Sequence, residues 1–230
     1  MSHVAFAVVT GAGGGIGRAI ALELARRGMD VALVGRTEAT LRATAFEAAR
    51  AGVKTLVACA DVSVDAQVRR AAAEIESGLG IPQVVVNNAG VAGRVARIEE
   101  TTEAEWETVL RANLNGVFLV TRALLPSMRA AGRGRFVTIA SISATLGTAG
   151  LAPYCASKWG AVGLTKALAE ELRGSGLQAM SVLPVTVDTP MAKVGGFKPQ
   201  MSPDDVARVV AFASLDAPDA MNGSAIECFG

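Results

Sequence analysis

TGAGGGIG, residues 10–17, is the stretch on which the fold turns. Before it runs VAFAVVT (4–10), apolar and rich in β-branched residues, which reads as a buried strand. After it runs IGRAIALELARRG (16–28), with apolar residues at helical spacing and Gly28 as a stop. A glycine turn between a strand and a helix lets the backbone approach a phosphate. The helix N-terminus adds unpaired N–H groups and a partial positive charge. The glycines follow a GxxxGxG pattern, Gly11, Gly15 and Gly17, with Gly13 and Ile16 inside the loop; the strict GxGxxG spacing is absent. Such glycines can also serve a tight turn and nothing more. The place after the first strand favours dinucleotide binding.

Outward from this loop, short apolar runs alternate with helical patterns. Strands are predicted at 30–35, 54–60, 82–88, 134–141, 177–184 and 224–229. Helices are predicted near 38–51, 64–78, 153–173 and 203–214, with a long one opening at the capping box Thr102–Glu105. Pro126 should kink that helix or tighten its end. Ser202 followed by Pro203 reads as a helix start. Seven strands alternating with helices predict an α/β fold: a parallel sheet covered by helices on both faces, in one domain over residues 1–230. Ligands of such sheets bind beyond the carboxyl ends of the strands.

The balance of 22 basic and 21 acidic residues gives no reason to expect a nucleic acid or an anionic membrane as partner. No uncharged run approaches the ~18 residues of a membrane helix, and the N-terminus does not read as a signal peptide. The expectation is a soluble cytoplasmic protein. Cys59, Cys155 and Cys228 form no CxxC pair, which argues against a disulfide framework or a zinc site. The single histidine, His3, sits at the chain's end and argues against Ser-His-Asp chemistry.

Strand two ends on Gly35 where an NAD site would carry a carboxylate for the ribose hydroxyls, and Arg36 follows. A guanidinium there can grip a 2′-phosphate, so NADP(H) is preferred and NAD(H) is the alternative. Asp61 and Val62 follow strand three, within reach of an adenine, although DVS (61–63) also suits a helix-capping turn. NNAG (87–90) brings Asn88, Ala89 and Gly90 to the end of strand four, suited to a ribose or to a plain turn.

Tyr154, the only tyrosine, stands four residues before Lys158 on a predicted helix, so both share one face. An ammonium near a phenol lowers its pKa, and a phenol so tuned can pass a proton. Ser141 closes strand five, where its hydroxyl could donate to a substrate carbonyl. Taken alone, YxxxK is also an ordinary amphipathic face.

Gly11-Gly15-Gly17, NNAG, Asn113, Ser141 and Tyr154-x-x-x-Lys158, in this order and across nearly the whole chain, resemble the short-chain dehydrogenase/reductase family. The chain is similar to its single-domain branch and, within it, to 3-oxoacyl-carrier-protein reductases. The resemblance implies a doubly wound Rossmann-type domain, a carbonyl or alcohol substrate, and a homotetramer, with a dimer as fallback. It implies Tyr154 as general acid or base, and Lys158 as ribose ligand and modulator of the phenol. It also implies Ser141 as the carbonyl-polarising group and Asn113 as holder of a water leading from Lys158 to solvent. Ser143 is a second hydroxyl, but Ser141, thirteen residues before Tyr154, matches the family spacing.

The pattern breaks after strand six. Following Pro184, Val185 stands where the family has glycine, so either the turn differs or cofactor affinity suffers. Val187 and Thr189 match positions that meet the nicotinamide carboxamide. Residues 192–201, with Gly195-Gly196, resemble a short substrate lid, and Leu146 and Leu151 offer an apolar pocket wall. An acyl-carrier partner would want a basic patch at the entrance, for which Arg94, Arg97, Arg129 and Arg133 are available. Two other readings are a redox-sensing dinucleotide-binding protein without turnover and an isomerase or lyase on the same fold.

Overall fold

The computed structural model describes residues 5–194, 196 and 198–230; His3 and, in the expected lid, Gly195 lie outside the described residues. Seven strands, β1 (Phe6–Thr10), β2 (Asp30–Gly35), β3 (Thr55–Cys59), β4 (Val84–Asn87), β5 (Gly134–Ile139), β6 (Leu177–Pro184) and β7 (Ala225–Cys228), form one parallel sheet. Their order is β3-β2-β1-β4-β5-β6-β7. The chain builds outward from β1 to β3, then crosses back to lay β4 on the other side of β1. The sheet therefore reverses direction between β1 and β4, and a crevice opens beyond their carboxyl ends.

Alternation along each strand assigns the faces. In β1, Ala7 and Val9 pack with α1 (Gly15–Arg26) and α2 (Glu38–Ala49), whereas Phe6 and Val8 pack with α3 (Asp65–Leu79). Later in the chain, α5 (Gly116–Ala131) and α6 (Ala152–Glu171) join the α3 side, and α8 (Pro203–Ala211) joins the α1 side. Phe6 and Phe136, each 1% exposed, anchor the α3 side; burying a side chain of that size stabilises by roughly 1.5–3 kcal/mol. No helix among the described residues is long and apolar enough to cross a membrane.

The helix starts follow the predicted chemistry. Thr102 and Glu105 form a reciprocal capping box at α4 (Glu103–Leu110), and Ser202 caps α8 with Pro203 at its first turn. The long helix differs from expectation. Pro126 lies inside α5, which continues to Ala131 and stops at Gly132 in a left-handed cap. The irregularity falls upstream, in a π-helical turn at Arg111–Asn115 that joins α4 to α5 and contains Asn113. Such turns insert an extra residue into the helical repeat and re-aim side chains. A short helix, α7 (Pro190–Val194), lies in the segment expected as a lid. That segment is pinned at its base. Val187 bridges Met201, Asp188 N donates to Met201 O (2.9 Å), and Gln200 N donates to Thr186 O (2.8 Å).

Candidate active site

The glycine loop is held from the neighbouring strand. Thr10, the last residue of β1, accepts the backbone N–H groups of Asn88 (2.9 Å) and Ala89 (3.0 Å) on its hydroxyl, which donates to Val86 O (3.3 Å). Asn88 Nδ2 returns a bond to Thr10 O (2.9 Å). The loop folds tightly against this latch: a Cβ on Gly17 would stand 2.2 Å from Gly11 O and 2.5 Å from Asn88 Nδ2. Gly11 itself adopts φ +67. Asn88 Nδ2 therefore helps to organise the loop. Thr10 was missed in the sequence, although a hydroxyl closing β1 beside the first glycine was visible there.

Open space lies in front of Gly14, which precedes α1, and α1 carries no acidic residue in its first turn. Gly15, with φ +51, and the amides of Ile16 and Gly17 open the helix there. Unpaired N–H groups facing an open space fit the pyrophosphate of a dinucleotide. Gly13 lies against Thr40 of α2, where a Cβ would come within 2.4 Å of the Thr40 hydroxyl.

β2 delivers Gly35 to the sheet edge and Arg36 just beyond it. Arg36 is exposed and makes no ion pair among the described residues. Thr37 precedes α2 without using its side chain as a cap. Just beyond the adjacent strand, Asp61 Oδ1 accepts Ser63 N (2.9 Å) and Ser63 Oγ (2.7 Å). The carboxyl is pulled in two directions: burial raises its pKa, while Ser63 and Arg36 lower it, and the net direction is down. One oxygen of Asp61 thus serves the capping turn. Val62 is buried against Gly116.

Ser141, Tyr154 and Lys158 converge where β5 ends and α6 begins. Ser141 Oγ accepts Ser143 N (3.1 Å), which leaves its proton available to donate. Ser143 is instead engaged with Thr148 Oγ1 (3.0 Å). Lys158 is 5% exposed, donates to Ile139 O (2.8 Å), and has its ammonium 5.7 Å from the centre of the Tyr154 ring. Burial pushes Lys158 down to about 8. Burial also pushes the Tyr154 phenol above its ordinary value; the Ser141 hydroxyl draws it back down, and the neighbouring Cys155 adds to the rise. The net direction is thus opposite to the expected lowering. The ammonium is itself disfavoured by burial and is aimed at a carbonyl, so desolvation of the phenol wins.

Asn113 is 1% exposed and its amide is committed to protein. Oδ1 accepts Val91 N (2.8 Å), and Nδ2 donates to Val91 O (2.9 Å) and Ser157 Oγ (3.0 Å). A water held by this side-chain amide would have to displace one of these bonds, whereas the backbone of Asn113 is a separate way to hold the expected water. Gly90 lies beside it, where a Cβ would meet Asn113 Oδ1 at 2.8 Å and Lys158 Nζ at 3.7 Å.

Beyond β6, Pro184 pairs with Cys228, and Val185 N donates to Cys228 O (3.0 Å). No non-glycine residue among those described has positive φ, so Val185 fits its turn without backbone strain and packs against the core. Val187 is buried, and the Thr189 methyl packs 3.3 Å from where a Gly15 Cβ would be, bringing the base of residues 188–200 to the glycine loop.

Of the two leucines expected to line the pocket, Leu151 is buried at 6% exposure and Leu146 is 59% exposed. Arg129 and Arg133 flank the amino end of β5, opposite Arg94 and Arg97, which follow the carboxyl end of β4. Arg94 is also paired with Glu105 (2.7 Å). The four arginines form no common patch.

Comparison with known proteins agrees with this geometry. Residues 5–196 match the family described as short chain dehydrogenase. A (3R)-3-hydroxyacyl-CoA dehydrogenase of Canis lupus familiaris is 35% identical, covering 98% of this chain and 95% of its own. An NAD-dependent oxidoreductase of Mycobacterium tuberculosis is 34% identical, covering 97% and 94%. A crystal structure of an actinorhodin polyketide ketoreductase variant with NADPH superposes with a TM-score of 0.93 at 33% identity, covering 99% of this chain and 96% of that one. With the reversal of strand order at β1 and β4, the glycine loop beyond it and relatives matched end to end, the chain belongs to the short chain dehydrogenase family, pyridine-nucleotide enzymes acting on hydroxyl and carbonyl groups.

Proposed function

We propose that this enzyme is an NADP-dependent carbonyl reductase, also able to run as an alcohol dehydrogenase, with Tyr154 as its proton donor and acceptor. The observation that carries the reading is the convergence of Ser141, Tyr154 and Lys158 at the carboxyl end of β5. Ser141 has a hydroxyl proton to give, and Tyr154 is held neutral by burial. A carbonyl oxygen received between them meets two donors, which polarise it. A bound nicotinamide cofactor would supply the hydride for the carbonyl carbon. Tyr154 passes its proton to the oxygen as charge develops there, and the resulting phenolate is stabilised by Ser141 and the Lys158 ammonium.

Gly11, Gly13, Gly15, Ile16 and Gly17 would hold the pyrophosphate, with Ala89 and Gly90 beside the ribose. Asp61 Oδ2 and the Val62 amide would serve the adenine, and Pro184, Val187 and Thr189 the nicotinamide end. NADP is favoured over NAD because Gly35 offers no carboxylate and the unpaired Arg36 stands next to Thr37. The relatives named for a hydroxyacyl thioester and a polyketide ketone support 3-oxoacyl thioesters as the first substrates to test. The test is NADPH oxidation across a panel of ketones and 3-oxoacyl thioesters, with NADH in parallel. Stoichiometric consumption of NADPH with product alcohol supports the reading; binding without turnover on any substrate returns the chain to the sensor alternative.

A further inference from the structure

We infer that Ser157 is a positioning residue for Tyr154, tying the π-helical turn that carries Asn113 to the first turn of α6. The inference rests on Tyr154 being the proton donor. Ser157 has no exposed surface. Its hydroxyl donates to Tyr154 O (2.7 Å) and accepts from Asn113 Nδ2 (3.0 Å). Asn113 is clamped in turn to both main-chain polar atoms of Val91. A continuous chain of hydrogen bonds thus runs from the loop after β4, through the π turn, to the peptide unit that bears the phenol.

The first turn of α6 needs such a tether. Tyr154 is the third residue of this helix, and Leu151 at its start provides no side-chain cap. An uncapped first turn is the part of a helix most prone to fray. Ser157 fixes the Tyr154 carbonyl from within. A second contact seats the same π turn one step along: Leu114 packs close over Gly160, where a Cβ would come within 2.9 Å of Leu114 Cδ2 and push the leucine aside. Positions 157 and 160 share one helix face. One polar and one apolar contact therefore fix the turn against α6, at the level where Tyr154 and Lys158 leave it. The signal was present in YCASK, as a small hydroxyl residue three places after the tyrosine.

Tyr154 is the sole tyrosine, so the ultraviolet absorbance of tyrosinate reports its ionisation without turnover. Ser157→Ala removes the hydroxyl. Ser157→Cys keeps nearly the volume but forms only weak hydrogen bonds. Both variants should lower kcat roughly tenfold, the scale of a small misplacement of a reacting group, with the Kd for NADPH within about twofold of wild type. Both should raise the tyrosinate midpoint, because the phenol loses its alignment with Ser141, the neighbour that lowers it. If the cysteine variant behaves like wild type while the alanine variant does not, volume is what matters and the inference is overturned. An unmoved midpoint in both variants overturns it as well. Should the wild type turn over no ketone, the proposed function fails by that result, and the tyrosinate titration still decides whether Ser157 sets the phenol.

Discussion

Lys158 holds its ammonium 5.7 Å from the centre of the Tyr154 ring but directs its hydrogen bond to the carbonyl of Ile139, 2.8 Å away. The two side chains lie on one face of α6, as four-residue spacing requires. Yet the lysine is anchored to the strand beneath and not to the phenol. The phenol's lowering contact is Ser141, from the end of β5. The pair thus divides its work: Ser141 acts on the phenol directly, and Lys158 acts at a distance while carrying the cost of burial.

Tyr154→Phe should reduce turnover by about two to four orders of magnitude, the usual contribution of a placed acid, while NADPH binding stays within a few-fold. Ser141→Ala should move the tyrosinate midpoint of the wild type, already above its ordinary value, further up. Nicotinamide fluorescence and tyrosinate absorbance check the two. A midpoint that falls in Ser141→Ala would contradict the assigned contact.

Lys158→Met should stabilise the protein while abolishing activity. The folded pKa of Lys158, about 8, lies below its ordinary 10.5. Below pH 8 both folded and unfolded states hold the proton, and the penalty of the buried ammonium is present in full. Between pH 8 and 10.5 the unfolded chain binds the proton that the folded state has released, so wild-type stability rises through that window. The difference is worth on the order of 3 kcal/mol, or about 6–12 °C in Tm for a domain of this size. Melting curves at pH 7 should place the variant above wild type, with the gap closing as pH approaches 10. A variant that melts lower at pH 7 would show that Lys158 contributes more to packing than its burial costs.

Arg36→Ala should weaken NADPH by about tenfold to a hundredfold, the range of a lost charge-assisted bond, and leave NADH nearly unchanged. Gly35→Asp combined with Arg36→Ala should invert the preference. A Cβ at Gly35 would sit 3.2 Å from Leu41 Cδ2, so the leucine need give only slightly. Titration of both nucleotides against the three proteins checks this; equal losses for the two nucleotides in Arg36→Ala would remove the 2′-phosphate assignment.

Val185→Gly should cost stability, by roughly 1 kcal/mol or more, without improving cofactor affinity. The valine has no positive φ to relieve, and its side chain packs against the core. Chemical denaturation together with NADPH titration measures both effects.

Much of this was legible from residue pattern. Short apolar, β-branched runs marked all seven strands, and TGAGGGIG marked where the sheet reverses. Spacing brought Ser141, Tyr154 and Lys158 together because 13 and 4 residues span a strand-to-helix loop and one helical turn. Spacing could not reveal which polar atoms were already engaged. Asn88 and Asn113 looked available, but Thr10 engages Asn88 Nδ2 while Val91 and Ser157 engage the Asn113 amide, and those partners are 78, 22 and 44 residues away in the chain. Nor could it show that Asp61 spends one oxygen on its own turn, or that burial would outweigh a nearby ammonium at Tyr154. Such outcomes depend on solvent exclusion, which arises only when distant segments meet.

The pinned base at Val187 and Met201 makes residues 188–200 an exchangeable cassette. Its two ends lie side by side, so the strand before it and the helix after it are indifferent to the length that runs between them, and lengthening such a loop costs little closure entropy, about 0.6 kcal/mol per doubling. Grafting residues 190–200 from a relative, with Thr189 kept in place against the glycine loop, tests whether this segment sets substrate preference.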